Sequence, residues 1–280
     1  MPWPVRPVAH HRRPCPGRRR RPAAGVSRRA PNPAGDRCRP APTGRETSRR
    51  RMGMRKVLAV AGPESASAVA AVAQAVADVL QITVSRFDPP LPDSQHATAV
   101  LDELEQPDAV LGVVIRDTAA SGRSWRIASR SAKPMIVVPP ASAAARPPVI
   151  SRILVPLDGT LESASAVSET IGLFASAGVE IVVLHVFDET TAPRFWDQAA
   201  HARRSWEREF RARFCTHVDV RIELRSGEPG EHVIQVAADE HADLIALGWS
   251  QRLEAGRART VRSAVQETEV PVMLVPLCPT

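Results

Sequence analysis

Three residues of the second half of the chain could bind a ligand at the end of a strand. Asp158 comes directly after the apolar run Ile153–Leu157, and Gly248 and Arg252 follow the run Leu244–Leu247. In parallel α/β sheets, ligands bind outside the carboxyl ends of the strands. We therefore expect Asp158 either to accept a hydrogen bond from a ligand or to begin the turn and cap the next helix.

The segment around Asp158 invites comparison with a phosphatase motif. Leu157–Ser163 resembles the first motif of haloacid dehalogenase-type phosphatases, in which a strand-end aspartate forms an aspartyl phosphate. The position of that nucleophile is Pro156 in this sequence, which has no nucleophilic group. Spacing signals no paired carboxylates and no Ser-His-Asp set. We expect no catalytic residues and no enzymatic activity.

Cysteine and histidine spacing gives no sign of a metal site. The four cysteines are Cys15, Cys38, Cys215 and Cys278, and no two have the spacing of zinc ligands. Neither a disulfide framework nor a metal centre is expected, which fits a reducing cytoplasm. No stretch approaches twenty apolar residues, so we expect no membrane span.

Charge is distributed unevenly along the 280 residues. The formal net charge is +7, but residues 1–53 hold 15 Arg and ten Pro against two acidic residues, so the rest is acidic. Such a leader cannot bury enough apolar surface to fold, and we expect residues 1–53 to be disordered or an over-extended start before Met52 or Met54. A transit peptide and a basic tail that binds phosphates are the alternatives.

From Val57 onward, short β-branched runs alternate with Ala-rich helical stretches. This pattern predicts a parallel α/β sheet covered on both faces. The nine runs are Val57–Ala61, Ile82–Val84, Val110–Ile115, Met135–Val138, Ile153–Leu157, Glu180–Phe187, Val218–Leu224, Leu244–Leu247 and Val272–Val275.

The two halves of the chain repeat each other. Glu-Ser-Ala-Ser-Ala-Val occurs at Glu64–Val69 and again at Glu162–Val167, and the closing segments Pro134–Pro139 and Pro271–Pro276 also match. The second half inserts a helix, Arg194–Phe214, and a further strand. We predict a leader (1–53), a reduced first domain (54–140), a linker (141–150) and a full second domain (151–280), each domain a Rossmann-like unit.

The inserted helix places apolar and basic residues on different faces. Phe195, Ala199, Ala202, Trp206 and Phe210 share one face, and four arginines lie largely on others. A period near 3.6 favours packing of the apolar face against the core. An aromatic and basic nucleic-acid surface would need Trp206 and Phe210 to point outward, so nucleic acid is not the partner we expect.

The second half resembles the universal stress protein family through five ordered motifs. These are Ile153–Gly159, Leu184–Val186, Gly227–Pro229, Ala242–Gly248 and Val270–Pro276. The resemblance implies a Rossmann-like fold, and the family has members that bind adenine nucleotides and members that do not. The first half carries the opening and closing motifs alone, as in a tandem member with a degenerate first domain.

For the nucleotide-binding members, the resemblance implies a strand-end Asp near adenine, a second-strand contact and a glycine loop for the phosphates. Asp158, Val186 and Gly248 match these positions, but Gln251 stands where the second loop glycine would be, and the Gly-Ser or Gly-Thr pair is missing. A lost left-handed glycine costs about 1 to 2 kcal/mol. Four arginines could compensate by attracting phosphates: Arg252, Arg257, Arg259 and Arg262.

The resulting expectation is a non-catalytic cytoplasmic universal stress protein with weak or no ATP binding and no other cofactor. It would act through association with itself, using the closing strands Met135–Val138 and Val272–Val275. We expect these strands to pair within one chain, because an exposed apolar edge strand promotes aggregation. The alternatives are an ATP-binding switch or weak ATP hydrolase, and a nucleic-acid-associated protein that uses the leader.

Overall fold

A computed structural model describes residues 54–62, 65–117, 122–140, 149–187, 192, 200–215, 219–252 and 258–277. The predictions for the leader 1–53 and for most of the linker lie outside these residues. The strands are β1 (Lys56–Val60), β2 (Thr83–Phe87), β3 (Ala109–Ile115), β4 (Met135–Val138), β5 (Arg152–Pro156), β6 (Glu180–Phe187), β7 (Arg221–Ser226), β8 (Leu244–Trp249) and β9 (Val272–Pro276). The helices are α1 (Ala66–Leu80), α2 (Asp93–Glu105), α3 (Arg123–Ala128), α4 (Leu161–Ser176), α5 (Ala200–Phe214), α6 (Pro229–Asp239) and α7 (Arg259–Glu267).

The nine strands found in the described ranges form one continuous sheet. Its order is β2-β1-β3-β4-β9-β8-β5-β6-β7, so the first half of the chain supplies one block and the second half the other. Neighbouring strands within each block are parallel, as the alternation of runs and helices predicts. The fold is therefore mixed α/β with a mostly parallel sheet.

The two blocks meet where β4 and β9 pair antiparallel. Met135 lies opposite Leu274, Ile136 opposite Met273 and Val137 opposite Val272. We call this junction the seam. All six side chains are buried, so the two closing strands lie next to each other inside one chain. Association between separate copies is a different question, and it stays a prediction.

Central strands are buried along most of their length because helices cover both faces of the sheet. β4 is buried at all four positions, and β6 at six of its eight. The outermost strands differ: β2 has no buried residue, and β7 buries only Ile222 and Leu224. One apolar cluster continues across the seam and includes Trp125 and Trp249.

The inserted helix packs as its apolar period predicts, where the structure describes it. Phe210 is buried in α5, and its ring stacks near His185 and Phe214. Trp206 is half-buried against Phe187, while Phe195 and Ala199 lie outside the described residues. In the described part of the chain, no helix has the length and apolar character needed to cross a membrane.

Candidate functional site

The carboxyl end of β5 holds Asp158 in a tight turn. Oδ1 of Asp158 accepts hydrogen bonds from the backbone N–H of Thr160 (3.0 Å) and from its hydroxyl (2.7 Å). The same oxygen accepts a bond from the Ser163 hydroxyl. Asp158 is exposed, yet one of its two oxygens is fully engaged within the turn. The carboxylate therefore stabilises the start of α4, which is one of the two roles expected from the sequence.

Thr160, rather than Asp158, is the N-cap residue of α4. Its hydroxyl accepts a hydrogen bond from the backbone N–H of Ser163 at 3.2 Å, and the helix begins at Leu161. The residue between Asp158 and Thr160, Gly159, has φ +80°, in the left-handed region that favours glycine. The Thr160 and Ser163 side chains were not singled out from the sequence, although Thr is one of the residues preferred at the N-cap position.

Gly248 lies close to the first turn of α4. A Cβ placed on Gly248 would lie 3.3 Å from the carbonyl oxygen of Ser163 and 3.3 Å from Leu277. A glycine here allows β8 and α4 to pack closely. The structure thus brings Gly248 and Asp158 to the two sides of Ser163, at the same edge of the sheet.

Val186 and Arg252 take up different environments at this edge. Val186 is half-buried near the end of β6, where it lies opposite Arg225 of β7 and packs against the core. Arg252 is exposed beyond β8. Of the other arginines, Arg259 pairs with Glu228 at 3.5 Å, and Arg257 lies outside the described residues. Arg262 is half-buried in α7, so Arg252 and Arg259 are the exposed arginines of the predicted set in the part of the chain that the structure describes.

Gln251 has the most unexpected geometry at the site. Its φ is +61°, so this position keeps a left-handed backbone although it carries a side chain. Nε2 of Gln251 donates a hydrogen bond of 2.5 Å to the carbonyl oxygen of Ser131, a buried residue of the first half. Because the two residues are 120 positions apart, the local sequence does not predict this hydrogen bond.

The buried side chain of His185 contacts the turn that contains Asp158. Nδ1 of His185 lies 2.9 Å from the carbonyl oxygen of Leu157, the residue before Asp158. The ring is buried against Phe187 and Phe210, with centroids 4.8 and 4.9 Å away. A Cβ on Gly159 would lie 3.1 Å from Cε1 of His185, so the ring limits what can replace that glycine. His185 is therefore a packing residue that fixes the turn.

A small apolar cavity of about 50 Å³ lies behind α4, lined by residues that include Leu157, Ile171, Phe214 and Cys215. Burial raises the pKa of the Cys215 thiol to about 11, and nearby Arg211 opposes this shift only in part. The thiol is therefore protonated at neutral pH and is not an activated nucleophile. Within the described ranges, no three His, Cys, Asp or Glu residues are grouped so that they could hold a metal ion.

The fold and this site define an α/β protein with a strand-end turn and a loop after β8 at one sheet edge. The sequence model of the universal stress protein family matches residues 150–276. The match covers the second half of the chain, from just before β5 to the end of β9.

Solved structures agree on the fold. A universal stress protein from Archaeoglobus fulgidus DSM 4304 is similar with a TM-score of 0.52 and 14% identity, covering 79% of this chain and 96% of that one. A functionally unknown protein from Pseudomonas aeruginosa PAO1 has a TM-score of 0.52 and 16% identity, covering 80% and 93%. A search of curated proteins gave no match. At these identities the likeness concerns the fold alone.

Proposed function

We propose that this protein is a non-catalytic universal stress protein that acts in the stress response through association, with weak or absent binding of adenine nucleotides. The observation that carries the proposal is the hydrogen bond from the Gln251 side chain to Ser131. At a position where nucleotide-binding relatives are expected to have a glycine, its side chain extends to Ser131 of the first half. The turn that would hold a phosphate is thus committed to a contact within the chain.

Two further contacts support weak nucleotide binding. One oxygen of Asp158 is engaged by Thr160 and Ser163, so less of the carboxylate is available to an adenine. The cysteine pattern, which has no disulfide spacing, supports placing the protein in the cytoplasm.

Calorimetry of the full chain with ATP and Mg²⁺ tests the nucleotide part of this proposal. We expect no heat of binding at ATP concentrations up to about 1 mM, which corresponds to less than about 4 kcal/mol of binding free energy. A dissociation constant in the low micromolar range would contradict the proposal. Native mass spectrometry of the purified protein would report in parallel any retained nucleotide and the number of associated chains.

The second candidate function is an ATP-binding switch or weak ATP hydrolase in the second half. The observation in its favour is that Asp158 and Arg252 are both exposed at the same sheet edge. If this candidate is correct, Arg252→Ala weakens ATP binding, because it removes an exposed cation that follows β8 by three residues. The matched control is Arg204→Ala, which removes an exposed arginine of α5 and leaves ATP binding unchanged.

A further inference from the structure

The contact of Gln251 with the first half has a counterpart in the opposite direction. Arg116 comes directly after β3, in the first half, and its guanidinium reaches the C-terminal end of α7 in the second half. Nη1 donates to the carbonyl oxygens of Val265 (3.0 Å) and Thr268 (2.8 Å). A cation at the C-terminal end of a helix also interacts favourably with the helix dipole. Each half thus donates from the segment after a strand to the other half.

The two acceptors occupy equivalent positions in the repeat. Ser131 lies three residues before Pro134, and Thr268 lies three residues before Pro271. In both turns the hydroxyl accepts the backbone N–H two residues later, at 3.1 Å from Lys133 and 3.1 Å from Val270. Both residues are buried. The same turn is therefore built twice, and in each copy its carbonyl oxygen is bound by the other half.

These two contacts lie at opposite ends of the strands β4 and β9. Ser131 precedes β4 and Thr268 precedes β9, and β4 and β9 run antiparallel. The seam between them has only three residue pairs. A further contact across it joins Trp125 of α3 and Trp249 of β8, whose ring centroids are 5.8 Å apart. A short seam held at both ends resists rotation of one half against the other.

Gln251 keeps a backbone conformation that residues with a side chain rarely adopt. Such conformations persist where the surrounding structure stabilises them, and they are frequent at binding sites and in switch regions. The hydrogen bond to Ser131 is the compensating contact in this structure.

We propose that Arg116 and Gln251 form one coupled pair of contacts that holds the seam, so that release of either contact loosens both. The segments after α3 and after α7 then change conformation together. A ligand or partner that moves Gln251 away from Ser131 therefore also loosens the contact of Arg116 with the end of α7, at the opposite end of the strands. This inference concerns the coupling itself and does not depend on whether ATP binds.

Amide hydrogen exchange of the full chain, measured residue by residue without ligand, tests the coupling. Gln251→Met keeps the length of the side chain and the backbone constraint but removes the donor. Loss of one hydrogen bond predicts exchange about 2- to 12-fold faster at Arg130, Ser131 and Lys133. Coupling predicts faster exchange at Val270 as well. Gln235→Met, at an exposed site on α6, is the control and leaves both regions unchanged.

The reciprocal variant is Arg116→Met, with Arg204→Met on the exposed face of α5 as its control. We expect faster exchange at Val270 and also at Ser131, whereas Arg116→Lys, which retains the charge and one donor, restores part of the protection. If each variant affects only the segment that loses its own donor, the contacts are independent and the inference is overturned. Unchanged exchange in both variants overturns it too.

Discussion

The turn at Gly159 shows how one residue constrains the site. Gly159→Ala puts a methyl group 3.1 Å from Cε1 of His185 on a backbone with φ +80°. We expect a loss of at least about 1 to 2 kcal/mol in the free energy of unfolding. Gly172→Ala is the control: this helical glycine of α4 has no atom within 4 Å of the new methyl group, and alanine there stabilises by up to about 1 kcal/mol. Urea unfolding of both variants measures the difference, and equal effects would contradict the prediction.

The ionisation of Glu240 makes the free energy of unfolding depend on pH. Its carboxylate forms a bidentate pair with the Arg221 guanidinium, and the hydrogen bond to Arg221 lowers the pKa of Glu240. A lowered folded-state pKa means that this stabilisation is present above the ordinary carboxyl range and is lost as the pH falls through the folded-state pKa.

The variant Glu240→Gln tests this linkage. We expect it to be less stable than the wild type near pH 7, and the difference to shrink between roughly pH 5 and pH 3. Chemical unfolding at several pH values provides the measurement. Glu169→Gln, at an exposed position of α4, is the control. A difference that does not depend on pH would show that the pair contributes by packing and not by charge.

At the scale of elements, the two matching helices α1 and α4 begin differently. Thr160 caps α4 with a side-chain hydrogen bond, whereas Ser65 at the start of α1 makes no such cap bond. Thr160→Ala therefore costs about 0.5 to 2 kcal/mol of stability, and Ser65→Ala costs much less. Thermal unfolding of the two variants tests the contrast. A larger loss from Ser65→Ala would refute the assignment of the cap.

Strand prediction succeeded where helices cover both faces of the strand. The apolar runs Met135–Val138 and Glu180–Phe187 match β4 and β6 residue for residue. The outermost strands were displaced: β2 extends to Phe87 and β7 to Ser226, beyond the predicted Val84 and Leu224. Outer strands are less buried than central ones and contain polar residues such as Arg86 in β2 and Arg225 in β7, which interrupt the apolar run.

The site was predictable in part for a similar reason. Asp158 and Gly248 could be placed at strand ends because each follows an apolar run. The use of Asp158 as a turn carboxylate follows from local spacing. The partners of Gln251 and Arg116 lie 120 to 152 residues away in the chain. Their hydrogen bonds depend on how the two halves pack, so the sequence alone does not predict them.

At the scale of the whole molecule, the seam makes each half depend on the other. Val137 is buried in β4 opposite Val272, so Val137→Asp would place an unpaired charge there at a cost of several kcal/mol. We expect both halves to lose stability together, as seen by amide exchange in β1 and in β5. Val149→Asp, at an exposed site, is the control. The prediction fails if the second half keeps its full stability while only the first is lost.

The antiparallel seam also has an electrical consequence. In each block, helices connect parallel strands and return against the strand direction, and the two blocks run in opposite directions. The helix macrodipoles of the first half therefore oppose those of the second. The described helices of the second half are longer in total, so a residual moment remains along the strand axis. The helices of a single half would lack this partial cancellation, so joining the two halves reduces the helix contribution to the molecular dipole.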